Sequence, residues 1–315
     1  MNALHDQRLS AADPRGLAAN TLVSPFARAT VVCFAGWALQ FSSAHAQLVQ
    51  LKPGEVMPAF DVAAIRPNNS GSGREHIWHN DNSWRVENLA LRDLIRRAWG
   101  AASNSQVIGG SDPLFSQRFD INAKISDANT ARLAMLSSAE SNRQVNLMLQ
   151  SLLTDRFNLK VHIETKELPA FALVIAKSGA KFHPSLAVPS AIPGKPPEPH
   201  TSFTVRASGS SKEVEVTNHT LQSTLVMILG LQPETEGRPV LDETDMTGTY
   251  DFNLKWTTES LVAGAKPGDN STTDPSSEGL SLFTALEDQL GLKLESEKAH
   301  VEVLVVDHVE PPSAN

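Results

Sequence analysis

A helix followed by two strand-like stretches occurs twice in this chain, and the recurrence constrains the fold more than any other feature of the sequence. In residues 280–310, leucine and phenylalanine recur at helical spacing up to Leu290, and alternating residues follow. Gly291 stands where a helix-ending glycine is expected. Residues 146–177 repeat this pattern with Asn158 in place of the glycine and a predicted turn near Glu167. Both blocks therefore predict a helix and a strand pair.

The repeat extends over most of the chain at a nearly constant offset. Asn88 lies 130 residues before Asn218, and Phe119 lies 131 residues before Tyr250. Long periods of this kind indicate internal duplication. The alternative is that any two helix–strand units share such spacing. We therefore predict an α+β fold in which a β-β-α-β-β-α-β-β unit is duplicated, with mixed or antiparallel sheets and helices on one face.

After an N-terminal segment of residues 1–46, composition divides the chain into three further segments. Residues 57–182 form the first predicted unit, residues 183–200 a proline-rich linker, and residues 201–312 the second unit. Strict alternation predicts strands at 118–125 and 250–256, and a hairpin is predicted from 203–207 and 213–217. Residues 126–143 are interpreted as a polar connector, and residues 257–279 as a loop rich in Gly, Ser, Thr and Asp.

Residues 1–46 have the features of an export signal. Arg28 precedes an apolar run over 29–39, and Ala44-His45-Ala46 fits the small-x-small cleavage pattern, so we predict cleavage between Ala46 and Gln47. A retained membrane anchor is the alternative, although the run is shorter than the ~20 residues that span a bilayer. The one cysteine, Cys33, lies within this signal. The product is predicted to be periplasmic or extracellular, without disulfides, and not integral to the membrane.

The formal net charge of the chain is −8 at pH 7. An acidic surface repels phosphate backbones, because binding to nucleic acid depends on neutralising them with Lys and Arg. We therefore expect no nucleic-acid partner.

The densest polar and aromatic cluster lies in the predicted hairpin HIWHNDNSW (76–84). It contains His76, Trp78, His79, Asp81 and Trp84. A His-x-x-His pair can ligate a metal, but no third ligand follows at a diagnostic spacing. An exposed hairpin tip used for contact, and a plain solvated hairpin, are the other interpretations. We treat His76, Trp78, His79 and Trp84 as a possible contact surface.

Other acidic residues form weaker candidates. They are Asp120 with Asn122, Asp251 with Asn253, the group Asp242, Glu243 and Asp245, and the pair Asp307 and His308. The first two pairs could supply an acid and a base, but solvated strand faces commonly carry such residues. The acidic group lacks the ligand spacing of a calcium loop and is interpreted as a capped turn. No phosphate-binding loop and no HExxH motif occurs, and we assign no catalytic, cofactor-binding or metal-binding residue.

Several segments together resemble a secreted domain family of unknown function. They are FDVAAIRPN (60–68), NLALRDLIRRAWG (88–100), RFDINAKI (118–125), MLQSLLTDRFNLKVHIETKELPAFALVIAK (148–177), RPVLDETDMTGTYDFNLKW (238–256) and LFTALEDQLGLKLESEKAHVEVLVVDHVE (282–310). That family is abundant in soil bacteria and also occurs fused to sensor-type membrane metallopeptidases. The resemblance implies no activity and no catalytic residues. In one departure, Ala90 stands where the family has a helix-capping Ser or Thr.

A weaker similarity is to the short N-terminal domains of secretins and TonB-dependent receptors, which share a helix after "N-x-x-L" followed by short strands. Two hypotheses result. The first is a non-enzymatic binding or interaction module of the cell envelope, whose partner is an envelope protein or peptide and which needs no cofactor. The second is a secreted enzyme, hydrolase-like, with a site between the two units.

Overall fold

The structure is a computed structural model that describes residues 48–80, 82–109, 113–186, 189–190, 198–199, 201–258 and 279–313. The predicted signal with its cleavage site, Asp81, most of the proline-rich segment after residue 186, and nearly all of the predicted 257–279 loop lie outside the described residues.

The first half of the described chain combines an antiparallel hairpin system with three helices. Its elements are β1 (Val62–Pro67), β2 (His76–Asn80), β3 (Ser83–Ala90), α1 (Leu91–Ala98), β4 (Val107–Ile108), β5 (Arg118–Lys124), α2 (Asp127–Ala134), α3 (Ser138–Phe157) and β6 (Lys160–Ile175). Alternation in β5 buries Phe119, Ile121 and Ala123, as predicted.

The predicted polar connector over 126–143 is wrong, because it contains helix. Ser126 and Ser137 each accept a hydrogen bond from a backbone N–H in the first turn of the helix that follows, Asn129 and Glu140 respectively. These caps satisfy donors that otherwise lack partners, so α2 and α3 begin in this polar stretch.

The second half repeats the hairpin, helix and long-strand order. Its elements are β7 (His183–Pro184), β8 (Pro189–Ser190), β9 (Glu198–Pro199), β10 (Ser202–Ser208), β11 (Ser211–His219), a π-helical stretch (Leu221–Val226) leading into α4 (Met227–Gly230), β12 (Val240–Asp242), β13 (Tyr250–Thr257), α5 (Leu282–Ala285) with a π-helical stretch (Leu286–Leu290), and β14 (Leu292–His308). The predicted 203–217 hairpin and the alternating strand at 250–256 are confirmed.

The strands within the described residues form three four-stranded sheets and one small pair. Their orders are β1-β5-β3-β2, which we call the first sheet; β10-β11-β13-β7, the second sheet; β12-β6-β14-β4, the ribbon sheet; and the pair β8-β9. In the ribbon sheet β14 and β6 are antiparallel, while β12 joins β6 and β4 joins β14 in parallel. Helices and mixed or antiparallel sheets together make the fold α+β, as predicted.

The two predicted strand pairs are instead single long strands. Strands β6 and β14 pair with each other along their whole length, and Glu167, the predicted turn, lies opposite His300. Pro169 interrupts neither strand. The N–H of Phe171 donates to the carbonyl oxygen of Pro239, on the side of β6 that faces away from β14. The nitrogen of Pro169, two residues earlier, points to the same side. Its missing N–H therefore removes no hydrogen bond between β6 and β14.

Corresponding positions in the two halves share backbone geometry. Asn158 and Gly291 both end their helices with φ values of 47° and 64°, and Asn88 and Asn218 both have positive φ at 61° and 58°. The helix ends predicted at Asn158 and Gly291 are thereby confirmed. The internal duplication and the domain boundaries remain interpretations of the sequence.

The hydrophobic core has two main clusters. One lies between the first sheet and helices α1 and α3, and includes Trp84, Phe119 and Phe157. The other involves the second sheet and the segments around α4 and α5, and includes Phe252, Trp256 and Leu286. Among the described helices, none has the length and apolar composition that crossing a membrane requires.

Candidate functional site

The β2–β3 hairpin places Trp78 on an open sheet surface. Trp78 lies opposite Arg85, and its side chain is 45% exposed. The His76 ring stacks on it at a centroid distance of 5.2 Å and an angle of 19°, and the Arg85 guanidinium lies 5.4 Å from its centroid. The Arg85 Nη2 also donates to Glu87 at 2.6 Å. A large aromatic side chain is thus held in place at the surface by neighbours on both strands.

The solvent-facing side of the first sheet, which we call the outer face, extends this surface across all four strands. The register and the alternation of side chains place these residues on it, among others: His76, Trp78, Arg85, Glu87, Asp120, Asn122, Lys124, Val62, Ala64 and Arg66. The inner face, with Ile65, Val86 and Ile121, is buried in the core. The outer face therefore combines a tryptophan with cationic side chains, among them Arg66, Arg85 and Lys124, in a chain whose net charge is −8.

Trp84 does not belong to this surface. Its side chain is 4% exposed and stacks with Phe60 at 6.3 Å, because its position opposite His79 puts it on the inner face. His79 lies on the same side as Trp84, at the rim of a cavity of about 240 Å³ lined also by Thr130, Ser138 and Asn142. The four residues predicted as one contact surface are thus divided between two faces of the hairpin.

The same division separates the two histidines of the His-x-x-His pair. Residues three apart on a strand point to opposite sides, so His76 and His79 do not converge on one ion. Within the described part of the chain, no group of three or more His, Cys, Asp or Glu residues is placed to hold a metal.

The two aspartates considered as acid–base candidates each serve a backbone bulge. Asp120 Oδ1 accepts the N–H of Asn88 at 2.9 Å and the Asn68 Nδ2 at 2.7 Å. Asp251 Oδ1 accepts the N–H of Asn218 at 2.7 Å. Asn122 and Asn253, two residues further along each strand, are exposed. These bonds give both aspartates a structural role.

The remaining acidic candidates also have local partners. Asp242 Oδ1 accepts bonds from the Thr244 N–H and hydroxyl at 3.1 and 2.7 Å, which forms a capped turn as predicted. On the ribbon sheet, the two ring nitrogens of His162 bond Asp307 and Glu164, each at 2.9 Å. These two carboxylates, Asp307 first, raise the pKa of His162. Asp307 and His308 lie at the surface.

Sequence reasoning missed a strap formed by residues 48–61, which borders the larger cavity. This cavity, of about 530 Å³, is lined by residues 55–61 together with Ser126, Asn129, Arg132 and Gln144. Arg143 bonds the Glu55 carboxylate and the Gln50 carbonyl oxygen, and Gln150 donates to the Val49 carbonyl. The hydrogen bond from Arg143, with a smaller contribution from the Lys52 N–H, lowers the pKa of Glu55 to about 2. Arg143 and its partners in the strap lie about ninety residues apart in the chain, so no local sequence pattern predicts these contacts.

Comparison with known proteins gives a family without an assigned activity. A family model described as "Protein of unknown function (DUF3738)" matches residues 92–309. The chain belongs to the DUF3738 family. No curated protein matches the chain, and no solved structure matches it. The DUF3738 match begins within α1 and ends just after β14, so strands β1 to β3, which carry Trp78, precede the matched range.

Proposed function

We propose that this protein is an exported, non-catalytic binding module, and that the outer face of its first sheet contacts an envelope protein or peptide. The observation that carries this proposal is the exposed position of Trp78 beside Arg85. Tryptophan and arginine are among the residue types most enriched at energetically dominant interface positions, and here Trp78 and Arg85 are adjacent on the outer face, where Trp78 is 45% exposed.

The surroundings of Trp78 support a binding role over simple solvation. Its ring is already fixed by His76 and Arg85, so little side-chain freedom would be lost when a partner covers it. Arg66 and Lys124 lie on the same face and favour a partner surface with acidic groups.

Export is supported by the sequence of the segment before residue 48. Arg28, the apolar run over 29–39 and the Ala44-His45-Ala46 pattern are the features that signal peptidase substrates share. We propose cleavage between Ala46 and Gln47, followed by release to the periplasm or the exterior. Mass spectrometry of the protein secreted from its full-length gene tests this directly, since a product that retains residues 1–46 would contradict it.

The binding proposal is tested with a photo-crosslinking residue at Asn122, which lies on the outer face opposite Arg85. The protein, expressed from its full-length gene, is irradiated with envelope extract of its host. Asn253 is the matched control position, since it is an exposed asparagine in the corresponding strand of the second sheet. We expect a discrete protein or peptide adduct from position 122 that is absent from position 253.

Two variants then connect the adduct to Trp78. We expect Trp78→Ala to abolish the adduct, whereas Val62→Ala, which trims another exposed side chain of the outer face, should leave it. Equal adducts from both positions, no adduct at all, or an adduct unaffected by Trp78→Ala would overturn the proposal.

A further inference from the structure

The strand β10 is a free edge of the second sheet. It pairs with β11 on one side, and no described strand pairs with its other side. All seven of its residues are exposed, and its register with β11 contains no bulge. Its outer backbone groups are therefore available to another strand.

The turn between β10 and β11 determines which backbone groups are open. Gly209 and Ser210 form a two-residue connection between the paired residues Ser208 and Ser211, and Gly209 has a φ of 59°, as a type II′ turn requires. In such hairpins the closing pair exchanges both hydrogen bonds, and the pattern then alternates. The N–H and C=O groups of Phe203, Val205 and Ala207 consequently point to the open side.

A hydrogen bond on the far side of β11 agrees with this alternation. The Ser210 carbonyl accepts the N–H of Thr258, which follows β13. Because neighbouring residues of a strand point their backbone groups to opposite sides, those of Ser211 point to β10, as the closing pair requires.

The side chains on the core-facing side of this open edge are apolar. Phe203 and Val205 are 48% and 53% exposed, and they lie opposite Val216 and Val214, which are buried. They therefore extend the core-facing side of the second sheet beyond the part that the rest of the chain covers. An additional strand would bury them and satisfy the open backbone groups together.

Apart from β2, which belongs to the hairpin that carries Trp78, the other described edges of the four-stranded sheets carry features that oppose pairing. β1 ends in Pro67, and β4, β7 and β12 are only two or three residues long. The open stretches of the long strands β6 and β14 are rich in Lys, Glu and His, and β6 also contains Pro169. β10 has no proline, and its one charge, on Arg206, already pairs with Glu215 at 3.1 Å. Such charges and prolines are the usual protection of sheet edges.

We propose that β10 pairs antiparallel with β10 of a second copy of this chain, so that two second sheets join into one continuous eight-stranded sheet. The register with full overlap places Val205 on the two-fold axis, opposite Val205 of the other copy. Phe203 then faces Ala207 and Arg206 faces Thr204, which keeps the apolar stripe continuous and avoids contact between like charges. A register shifted by two residues towards the turn would instead place Arg206 against itself.

This proposal is independent of the outer face and is tested by sedimentation equilibrium of the full chain over a micromolar concentration series. We expect a monomer–dimer equilibrium. Val205→Lys and Val205→Glu each place two like charges on the axis and should weaken dimerisation about tenfold or more. A mixture of the two variants places Lys opposite Glu and should restore the dimer.

Val62→Lys is the matched control, since Val62 is a similarly exposed valine, at 64%, on the edge strand β1. It should leave the dimerisation constant unchanged. Circular dichroism confirms that each variant folds, and the two charge variants test the axis independently if one of them does not.

Four results would overturn the proposal. They are a wild type that is monomeric throughout the series, a dimer that persists in both charge variants, loss of the dimer in Val62→Lys as well, or no restoration on mixing two folded variants. A monomer whose Phe203, Val205 and Ala207 amides become protected from hydrogen exchange only when envelope extract is added would assign the edge to a peptide instead.

Discussion

The backbone N–H of Asn88 donates to the Asp120 carboxylate at 2.9 Å, across the boundary between two strands of the first sheet. The pairing of β3 with β5 shifts register between Val86 and Leu89, and Asn88 lies in this bulge with a φ of 61°. In the second sheet, Asn218 lies in the bulge between Val216 and His219 and donates to Asp251 in the same way. Each aspartate therefore supplies the acceptor that the bulge removes from the ladder.

We predict that Asp120→Ala lowers the free energy of unfolding by about 1–3 kcal/mol, because it leaves the N–H of the buried Asn88 without an acceptor. Asp251→Ala should have a smaller effect. Asp120 accepts two hydrogen bonds, from the Asn88 N–H and the Asn68 side chain, whereas Asp251 accepts the N–H of Asn218. Urea denaturation measures both. The matched control Asn122→Ala should stay within about 0.5 kcal/mol of wild type, and an equal loss in that variant would contradict the bulge role.

Gly291 combines a backbone conformation and a close contact that other residues cannot match. Its φ is 64°, and a Cβ atom there would overlap the carbonyl oxygen of Gly179, which packs against the end of the helix. We predict that Gly291→Ala destabilises by more than the ~1–2 kcal/mol of left-handed strain alone. Gly71→Ala is the control, because its φ is 69° and its surroundings are open. Equal melting temperatures for these two variants would show that the contact with Gly179 is absent.

Asn158, which ends helix α3 with a φ of 47°, can be compared with Gly291 by the same measurement of melting temperature. Asparagine tolerates this conformation, so Asn158→Ala should cost about 1 kcal/mol and less than Gly291→Ala.

The fold was predictable from the sequence where it depends on local features, and not where it depends on long-range pairing. The alternation of β5 and β13 and the residues that end the helices are local features, and they were predicted correctly. The turn at Glu167 was wrong because the continuity of β6 depends on its pairing with β14, more than a hundred residues away. The placement of Trp84 beside Trp78 failed for a related reason, since the face of each side chain depends on the hairpin register.

The N-cap residues of two helical segments, Ala90 and Thr220, differ in their ability to accept a hydrogen bond, and this difference gives a paired prediction. Thr220 accepts the Ser223 N–H at the start of the helical segment in the second half, whereas Ala90 at the start of α1 provides no side-chain acceptor. The backbone of Ala90 already has an extended N-cap conformation. We expect Ala90→Ser to stabilise the protein by about 0.5–1 kcal/mol and Thr220→Ala to destabilise it by a similar amount, both measured by thermal unfolding. A stability loss in Ala90→Ser would show that strand β3 cannot accommodate the hydroxyl.

The strap formed by residues 48–61 should respond to acid. The pKa values of Glu55 and Glu140 are lowered to about 2 from ordinary values of 4.5, and the hydrogen bond from Arg143 is the largest cause for both. A group whose pKa is depressed by folding contributes stability above its unfolded pKa, and this contribution is lost as the pH falls. We therefore expect the backbone amide NMR signals of residues 48–55 to shift towards unfolded values between about pH 4.5 and 2, before those of β13 change.

Arg143→Gln provides the control for this acid response. Without the guanidinium the strap should already be released at neutral pH, and the acid step should disappear. An acid transition that is unchanged in Arg143→Gln would mean that other carboxylates control it.

The two tryptophans of the hairpin should separate stability from binding. Trp84 stacks on Phe60 in the core, so Trp84→Ala should lower the free energy of unfolding by about 3–5 kcal/mol. Trp78 is half exposed and contacts His76 and Arg85, so Trp78→Ala should cost less than about 1 kcal/mol while it abolishes the adduct formed from position 122. Urea denaturation and the crosslinking yield, measured on the same preparations, test both halves. If Trp78→Ala destabilised the fold as strongly as Trp84→Ala, the tryptophan on the outer face would be a structural residue, because its loss would then act on the hairpin itself and not on a bound partner.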